Sequence, residues 1–303
     1  MSFNLDAIKG LSIERLQTLC LVAEKGGITK ASHGNPNRQS LFSRQIKELE
    51  TALGVVLINR GQTPRCLTAE GERLERAARE FLRQLCDLSS SASDRRIEIT
   101  VGAGESVIQW LLIPRLKALF SAQEICLTFR NLPSRGIVDQ LLSQRLDLGV
   151  VRKSALRGSL VSRGLGTLGM KAAVSKRQLS SMAKKKSLSW REVIGNPWVI
   201  LEGDGDFRTA VLEQAEAQGL RPDVAAQCTS FGQVIDALRA APLIGFLPDY
   251  LFPSVPEEIV PLAFEPVAAL KRDMVIAWHP TVLKTRPEVA RVIEEIIGRL
   301  NRK

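Results

Sequence analysis

NRQSLFSRQIKELETAL, residues Asn37 to Leu53, is followed at once by Gly54, and its spacing decides how the rest of the chain is read. Phe42, Ile46, Leu49 and Leu53 recur at intervals of four, three and four residues. That spacing lines one face of an α-helix with apolar side chains and commits the face to a core. About a right angle or more around the same helix stand Ser40, Ser43, Arg44 and Lys47, with no large apolar residue among them. Short hydroxyls beside two long cations suit a DNA major groove, where Ser fits closely, Arg forks onto guanine and Lys reaches guanine or phosphate. On an isolated helix the same residues describe only a solvated face. The flanking sequence decides between the two.

Upstream, Ser12 caps a helix through about Lys25 that carries Leu16, Leu19, Cys20 and Ala23 on one face and stops at Gly26. After Gly26-Gly27, Thr29 is expected to cap a short helix, ITKASH, ended by Gly34. Asn35-Pro36-Asn37 then makes a turn, and either Asn35 or Asn37 caps the helix that follows. Helix, short helix, turn, helix is the order of a helix-turn-helix. Downstream of Gly54, VVLINR, a turn at Gly61 to Pro64, and RCL form a small hairpin, a wing whose Arg60 and Arg65 meet either phosphates or solvent.

Thr68 to Leu88, TAEGERLERAAREFLRQLCDL, reads as one long helix with a Thr cap and acidic first turns that complement the helix dipole. Leu67, Gly71, Leu74, Ala78, Phe81, Leu85 and Leu88 alternate in steps of four and three, the seam of a short coiled coil. Either a partner chain or the chain's own C-terminal domain covers that seam. SSSASDRR, Ser89 to Arg96, follows as a hinge.

Composition sets the outer limits. With 303 residues, 45% hydrophobic and 24% charged, the chain has globular composition and room for about two domains. The formal net charge of +10 favours an anionic partner. Nine Lys or Arg against five Asp or Glu fall between Met1 and Cys66, so charge alone does not locate that partner. Cys20, Cys66, Cys86, Cys126 and Cys228 form no C-x-x-C pair, and only His33 and His279 stand beside them as metal ligands. No metal site is expected. Met1 to Ser12 lacks the pattern of a signal peptide, and no apolar run approaches the roughly 18 residues of a membrane span. A cytoplasmic protein with reduced thiols and no membrane partner is expected.

SRQIKELETALGVVLINR, then a turn and LTAEG, between Ser43 and Gly71, resembles the N-terminal region of LysR-type transcriptional regulators. The resemblance implies a winged helix-turn-helix over 1–66, a linker helix and hinge over 67–93, and an effector-binding domain over 94–303. It also implies that Gln39, Ser40, Ser43, Arg44 and Lys47 enter the major groove, with Thr29 and Arg60 on the DNA backbone. Gly34, Asn35, Pro36 and Asn37 stand where the family has apolar residues around the turn, and Arg38 stands where Ser is common. Arg38 and Arg65 join the DNA-contacting candidates.

Beyond Ile97, IEITVGA, ICLTFR, DLGVV, KAAVS, WVIL and MVIAW read as strands with helical periodicity between several of them, an α/β pattern expected to form parallel sheets. The resemblance implies a two-lobed α/β domain of the periplasmic-binding-protein type. Lobe I is expected over about 94–169 and 272–303 and lobe II over about 170–271, with crossings near Leu168 to Lys171 and Leu270 to Asp273.

Residues closing strands are the effector candidates: Gly104, Glu105, Ser106, Asn131, Ser134, Arg152, Gly203, Asp204, Thr229 and Ser230. Each alone also fits a turn or an N-cap. Glu105 and Asp204 leave the ligand's charge open. VGAGES, Val101 to Ser106, lacks the third glycine of a dinucleotide fingerprint. Neither His33 nor His279 belongs to a catalytic constellation, and neither catalysis nor a cofactor is expected.

The resemblance therefore implies a regulator of promoter DNA, tuned by a small molecule and assembled as a homodimer and then a tetramer, with RNA polymerase as a further partner. The other reading is a cytosolic small-molecule binding protein, or an enzyme of the two-lobed fold, whose N-terminal domain serves assembly.

Overall fold

The computed structural model describes residues 10–59, 66–90, 96–180, 188–203, 206–268 and 270–301. Four helices, α1 (Ile13–Lys25), α2 (Ile28–Ala31), α3 (Pro36–Leu53) and α4 (Ala69–Ser90), open the chain. Ser12 starts α1 by accepting the Arg15 N–H at 3.3 Å. Thr29 does not cap α2, contrary to the sequence expectation. The cap is Gly27, because Gly26 and Gly27, at φ 75° and 145°, turn the chain so sharply that the helix begins at Ile28.

Asn35 caps α3: its Oδ1 accepts the N–H groups of Asn37 and Arg38 at 3.0 and 3.2 Å, with Pro36 in the first helical position. Gly54, at φ 67°, ends the helix. Phe42, Ile46 and Leu49 face inward against Leu19, Val22, Ala31 and Leu57. The Thr18 hydroxyl donates to Gln45 Oε1 at 2.7 Å and ties α1 to α3.

The wing is represented by its base, an antiparallel bridge between Ile58 and Leu67. Glu50 of α3 anchors it, Oε1 accepting the Leu57 and Ile58 N–H groups at 2.9 and 3.3 Å. Arg60 and Arg65 lie outside the described residues.

Thr68 caps α4, its hydroxyl accepting the Gly71 N–H at 3.0 Å and donating to Val56 O at 2.6 Å. A Cβ on Gly71 would stand 2.1 Å from Leu57 O, so α4 approaches the wing backbone as closely as glycine allows. The first half of the expected seam is therefore covered from within the N-terminal domain. Leu67 and Leu74 pack with Leu19, Leu49 and Leu57, while Phe81 remains 44% exposed. This corrects both sequence alternatives for that half of the seam. The helix also runs through Ser90, so the first two serines of the expected hinge are helical.

The C-terminal domain meets a different, charged side of α4. Glu75, 2% exposed, accepts from Arg79 at 2.7 Å and from Arg145 at 3.4 Å, and Arg79 also reaches Cys20 O in α1 at 3.3 Å. Asp147, equally buried, accepts from Arg286 at 2.8 Å, from Arg83 of α4 at 3.3 Å and from the Thr100 N–H at 2.8 Å. The Thr285 hydroxyl bonds Glu80.

Among the described residues ten strands form two five-stranded sheets. Lobe I contains β1 (Ile97–Ala103), β2 (Ile125–Asn131), β3 (Leu148–Arg152), β4 (Val161–Leu168) and β10 (Arg272–Trp278) in the order β2-β1-β3-β10-β4. Lobe II contains β5 (Met170–Ser175), β6 (Trp198–Leu201), β7 (Val224–Cys228), β8 (Ile244–Pro248) and β9 (Ile259–Leu262) in the order β7-β6-β8-β5-β9. The chain passes into lobe II at Gly169, between β4 and β5, and returns ahead of β10.

The sheets are mixed, which corrects the expectation of parallel ones. β2-β1-β3 and β7-β6-β8 are parallel. β10 runs antiparallel to β3 and β4, and β5 antiparallel to β8 and β9, because strands entering from the other lobe arrive in the reverse direction. Helices cover both faces of each sheet. In lobe I, Gly102 and Gly149 are paired neighbours on β1 and β3, and a Cβ on either would press on Ile137. That pair lets the helix Ser134–Leu142 lie close to the strands. Among the described residues no helix is long and apolar enough to cross a membrane.

Candidate nucleic-acid interface and interlobe cleft

Gln39, Ser40, Ser43, Arg44 and Lys47 are all exposed on α3 and, with Pro36, line one shared concavity. The surface arises directly from helical spacing, since burying Phe42, Ile46 and Leu49 forces these positions outward. Arg44 stands 4.0 Å from Glu48 one turn on, and both side chains are solvated. Such an exposed pair holds the guanidinium weakly and leaves it available to a stronger acceptor. Arg38 lies apart from the concavity, its guanidinium 5.9 Å from the Phe42 ring centre. Thr29 is exposed on α2, and its carbonyl accepts the Ser32 hydroxyl at 2.9 Å. Sequence reasoning missed Glu50 and Gln45, whose polar side chains brace the wing and α1 rather than face solvent. Nothing in their spacing marks that role.

In the C-terminal domain, the carboxyl ends of β1, β2 and β3 share one edge of lobe I, and those of β6, β7 and β8 share one edge of lobe II. Tyr250, just after β8, donates its hydroxyl to Ser106 Oγ, just after β1, at 2.9 Å. This bond brings the two carboxyl edges against each other. Burial pushes the Tyr250 phenol up to about 12, with Glu105 and Asp249 adding to the effect and the Ser106 hydrogen bond opposing it.

Trp110 packs on the lobe II cluster containing Leu251. It stands in a π-helical turn, Ile108–Leu112, set between α-helical Glu105–Val107 and Ile113–Leu116. At the first crossing, Asp249 accepts the Gly169 N–H at 3.1 Å and donates its own N–H to Gly169 O at 3.0 Å. Trp110, Asp249 and Tyr250 escaped the sequence reading, although Tyr250 is the chain's one tyrosine.

The remaining strand-end residues divide by role. Gly104 is the N-cap of the helix that carries Glu105 and Ser106. Burial raises the Glu105 carboxyl above its ordinary value. Ser230 caps the helix Phe231–Ala240 by accepting the Gln233 N–H at 3.3 Å, and Thr229 is held by Gln233 Oε1 at 2.9 and 3.0 Å. Asn131 ends β2, Ser134 opens its helix behind the cap Pro133, and Gly203 sits exposed at φ 81°. Arg152 ends β3, where burial and then Arg272 and Arg135 lower its pKa. Asp204 lies outside the described residues.

His279 serves the fold, with Nδ1 accepting the Thr281 N–H at 3.4 Å and Nε2 lying 3.2 Å from Ser159 Oγ. Among the described residues no group of three or more His, Cys, Asp or Glu could hold a metal ion.

A family model described as the LysR substrate binding domain matches residues 92–300, and one described as the bacterial regulatory helix-turn-helix protein, lysR family, matches residues 13–72. The chain is 25% identical over 246 residues to the hydrogen peroxide-inducible genes activator of Haemophilus influenzae, covering 79% of this chain and 80% of that protein. A full-length OxyR variant from Pseudomonas aeruginosa superposes with a TM-score of 0.65 at 20% identity, over 96% of this chain and 94% of that one. Full-length CbnR in complex with its target DNA superposes with a TM-score of 0.57 at 20% identity, over 95% and 100% of the two chains.

Proposed function

The chain belongs to the LysR family of DNA-binding transcriptional regulators, and from that premise we propose that α3 reads its promoter through Gln39, Ser40, Ser43, Arg44 and Lys47. The observation that carries this reading is their common exposed concavity on the helix that the helix-turn-helix turns outward. Arg44 and Lys47 bring charge to guanine edges or phosphates, and the serines allow close approach. Arg38, in the first turn of α3, and Thr29, Arg60 and Arg65, which flank that helix in sequence, serve the DNA backbone.

A small effector occupies the space between the lobes. The reading is supported by the facing carboxyl edges of the two sheets, where helix N-termini and strand ends supply hydrogen-bonding groups. Gly104, Glu105, Ser106, Asn131, Ser134, Arg152, Gly203, Asp204, Thr229 and Ser230 are its contacts. The division into a DNA-binding unit (1–66), a linker (67–93) and an effector domain (94–303) follows the same reading. Two copies pair through the part of α4 near the exposed Phe81, two dimers form a tetramer, and RNA polymerase is a further partner. The protein acts in the cytoplasm and catalyses no reaction. A ligand shifts the arrangement of the DNA-binding heads only by its differential affinity for the two states.

Selection of genomic fragments with purified protein at near-physiological salt, followed by footprinting, tests this reading. Discrete sites are expected, with half-sites about one helical turn, roughly 34 Å, or a multiple apart. Arg44→Ala should weaken those sites by about 5- to 150-fold. Binding that stays diffuse and salt-sensitive, and that ignores Ser43→Ala with Arg44→Ala, would overturn the assignment.

A further inference from the structure

We propose that lobe II contains a ligand pocket of its own, beneath the helix Asp206–Ala217, that takes the hydrocarbon end of a short aliphatic monocarboxylate and meets its head with Arg208. Phe207, Val211 and Leu212 of that helix form one wall, and Trp198, Ile200 and Phe246 of the sheet form the other. The lining belongs to lobe II alone and includes neither Ser106 nor Tyr250, while its mouth stands on the carboxyl edge that faces lobe I.

Three observations set the class of ligand. The first is size: the cavity is about 90 Å³. A dry apolar cavity of about 150 Å³ encloses benzene. Lobe II therefore has too little room for a ring, but enough for roughly three or four carbons.

The second is charge. Arg208 lines the cavity, and its buried Nε–H has no hydrogen-bond partner among the described residues. Buried polar groups left unpaired are costly, and a carboxylate is the acceptor that matches a guanidinium. The third is the opening. Glu202 is the one exposed residue of the lining, so the cavity meets solvent at the carboxyl end of β6. A carboxylate at that mouth repels any anion, a dianion about twice as strongly as a monoanion, so a single charge is the one that Arg208 can offset.

The proposal deepens the effector-domain reading and rests on it for regulatory meaning, while its test needs no DNA. Isothermal titration calorimetry of the 303-residue chain would use 3-methylbutanoate, with 3-methylbutan-1-ol and benzoate as comparators. One saturable site per chain is expected for 3-methylbutanoate, with benzoate at least about tenfold weaker. Arg208→Met should weaken the carboxylate about tenfold and leave the alcohol unchanged.

Val211→Phe fills the cavity and should abolish binding. Val211→Leu is the milder filling and should weaken binding while raising the melting temperature of the domain. The proposal fails if 3-methylbutanoate shows no saturable binding. It fails equally if both Val211 variants fold and bind it as the native chain does, which would move the ligand to the cleft. Loss of specific DNA sites with this binding intact would overturn the promoter reading and leave the pocket standing.

Discussion

Ionising Tyr250 isolates one bond between the lobes, because it is the chain's one tyrosine. Its hydroxyl is buried against Ser106, and its pKa rises from 10.0 to about 12, chiefly from burial. A raised folded-state value means that the folded protein favours the neutral phenol. The associated stability is complete below pH 10 and is lost as pH climbs through about 12. Two pKa units correspond to about 2.7 kcal/mol, an order-of-magnitude figure for the stability lost.

The assay is tyrosinate absorbance in the near ultraviolet, to which the four tryptophans add no titration. A single midpoint near 12 is expected in the native protein and one near 10 in denaturant. Tyr250→Phe should remove the step. A midpoint near 10 while near-ultraviolet circular dichroism still reports native packing would refute the buried interlobe bond.

Three further outcomes follow from the packing. Asp147→Ala leaves Arg286 and Arg83 facing a methyl group in a buried site. The expected cost of about 3–5 kcal/mol lowers the C-terminal domain's melting temperature by roughly 6–20 °C, and calorimetry showing a fall under about 2 °C would count against a tight ionic junction. Gly71→Ala should destabilise by about 1–3 kcal/mol in urea melts, although alanine ordinarily favours a helix interior, because the new methyl meets Leu57 O. Asn35→Ala should cost about 1 kcal/mol and Asn35→Asp should not, as a carboxylate keeps the acceptor for the first turn of α3; equal losses would mean that the cap is idle.

Periodicity made the N-terminal domain legible. Phe42, Ile46 and Leu49 are buried, so the outward face of α3 followed from the chain alone. Asn35 and Asn37 were equivalent in sequence, and only the backbone geometry separates them. The expected strands at 97–103, 125–130 and 198–201 were visible as apolar runs.

β4 was not visible: VSRGLGTL is an edge strand with two glycines and no buried residue, which leaves no alternation to detect. β8 and β9 are short and carry Gly or Pro. The N-terminal half of the α4 seam looked like a coiled coil because a heptad records only that a face is covered, not by what. Arg79, Arg83 and Asp147 drew no reading from the sequence, since the contacts that tie them to other elements, Arg79 to Cys20, Arg83 to Asp147 and Asp147 to Arg286, span 59, 64 and 139 residues.

Between Leu142 and Leu148 the chain makes a turn that grips α4 through Arg145 and Asp147. Two stiff members start from that turn: the helix Ser134–Leu142, about 13 Å long, and β3, about 17 Å long. Their opposite ends, Ser134 and Arg152, stand at the carboxyl edge of lobe I. Gln144, held at φ 54° without being glycine, leaves the turn little slack. Mechanically these are push-rods whose heads bear on a helix already keyed to α1 by Arg79. A close-packed interior transmits displacement rather than absorbing it. From the carboxyl edge of lobe I to α1 the chain is therefore one run of packed and ion-paired elements, and α4 is part of the frame rather than a free tether.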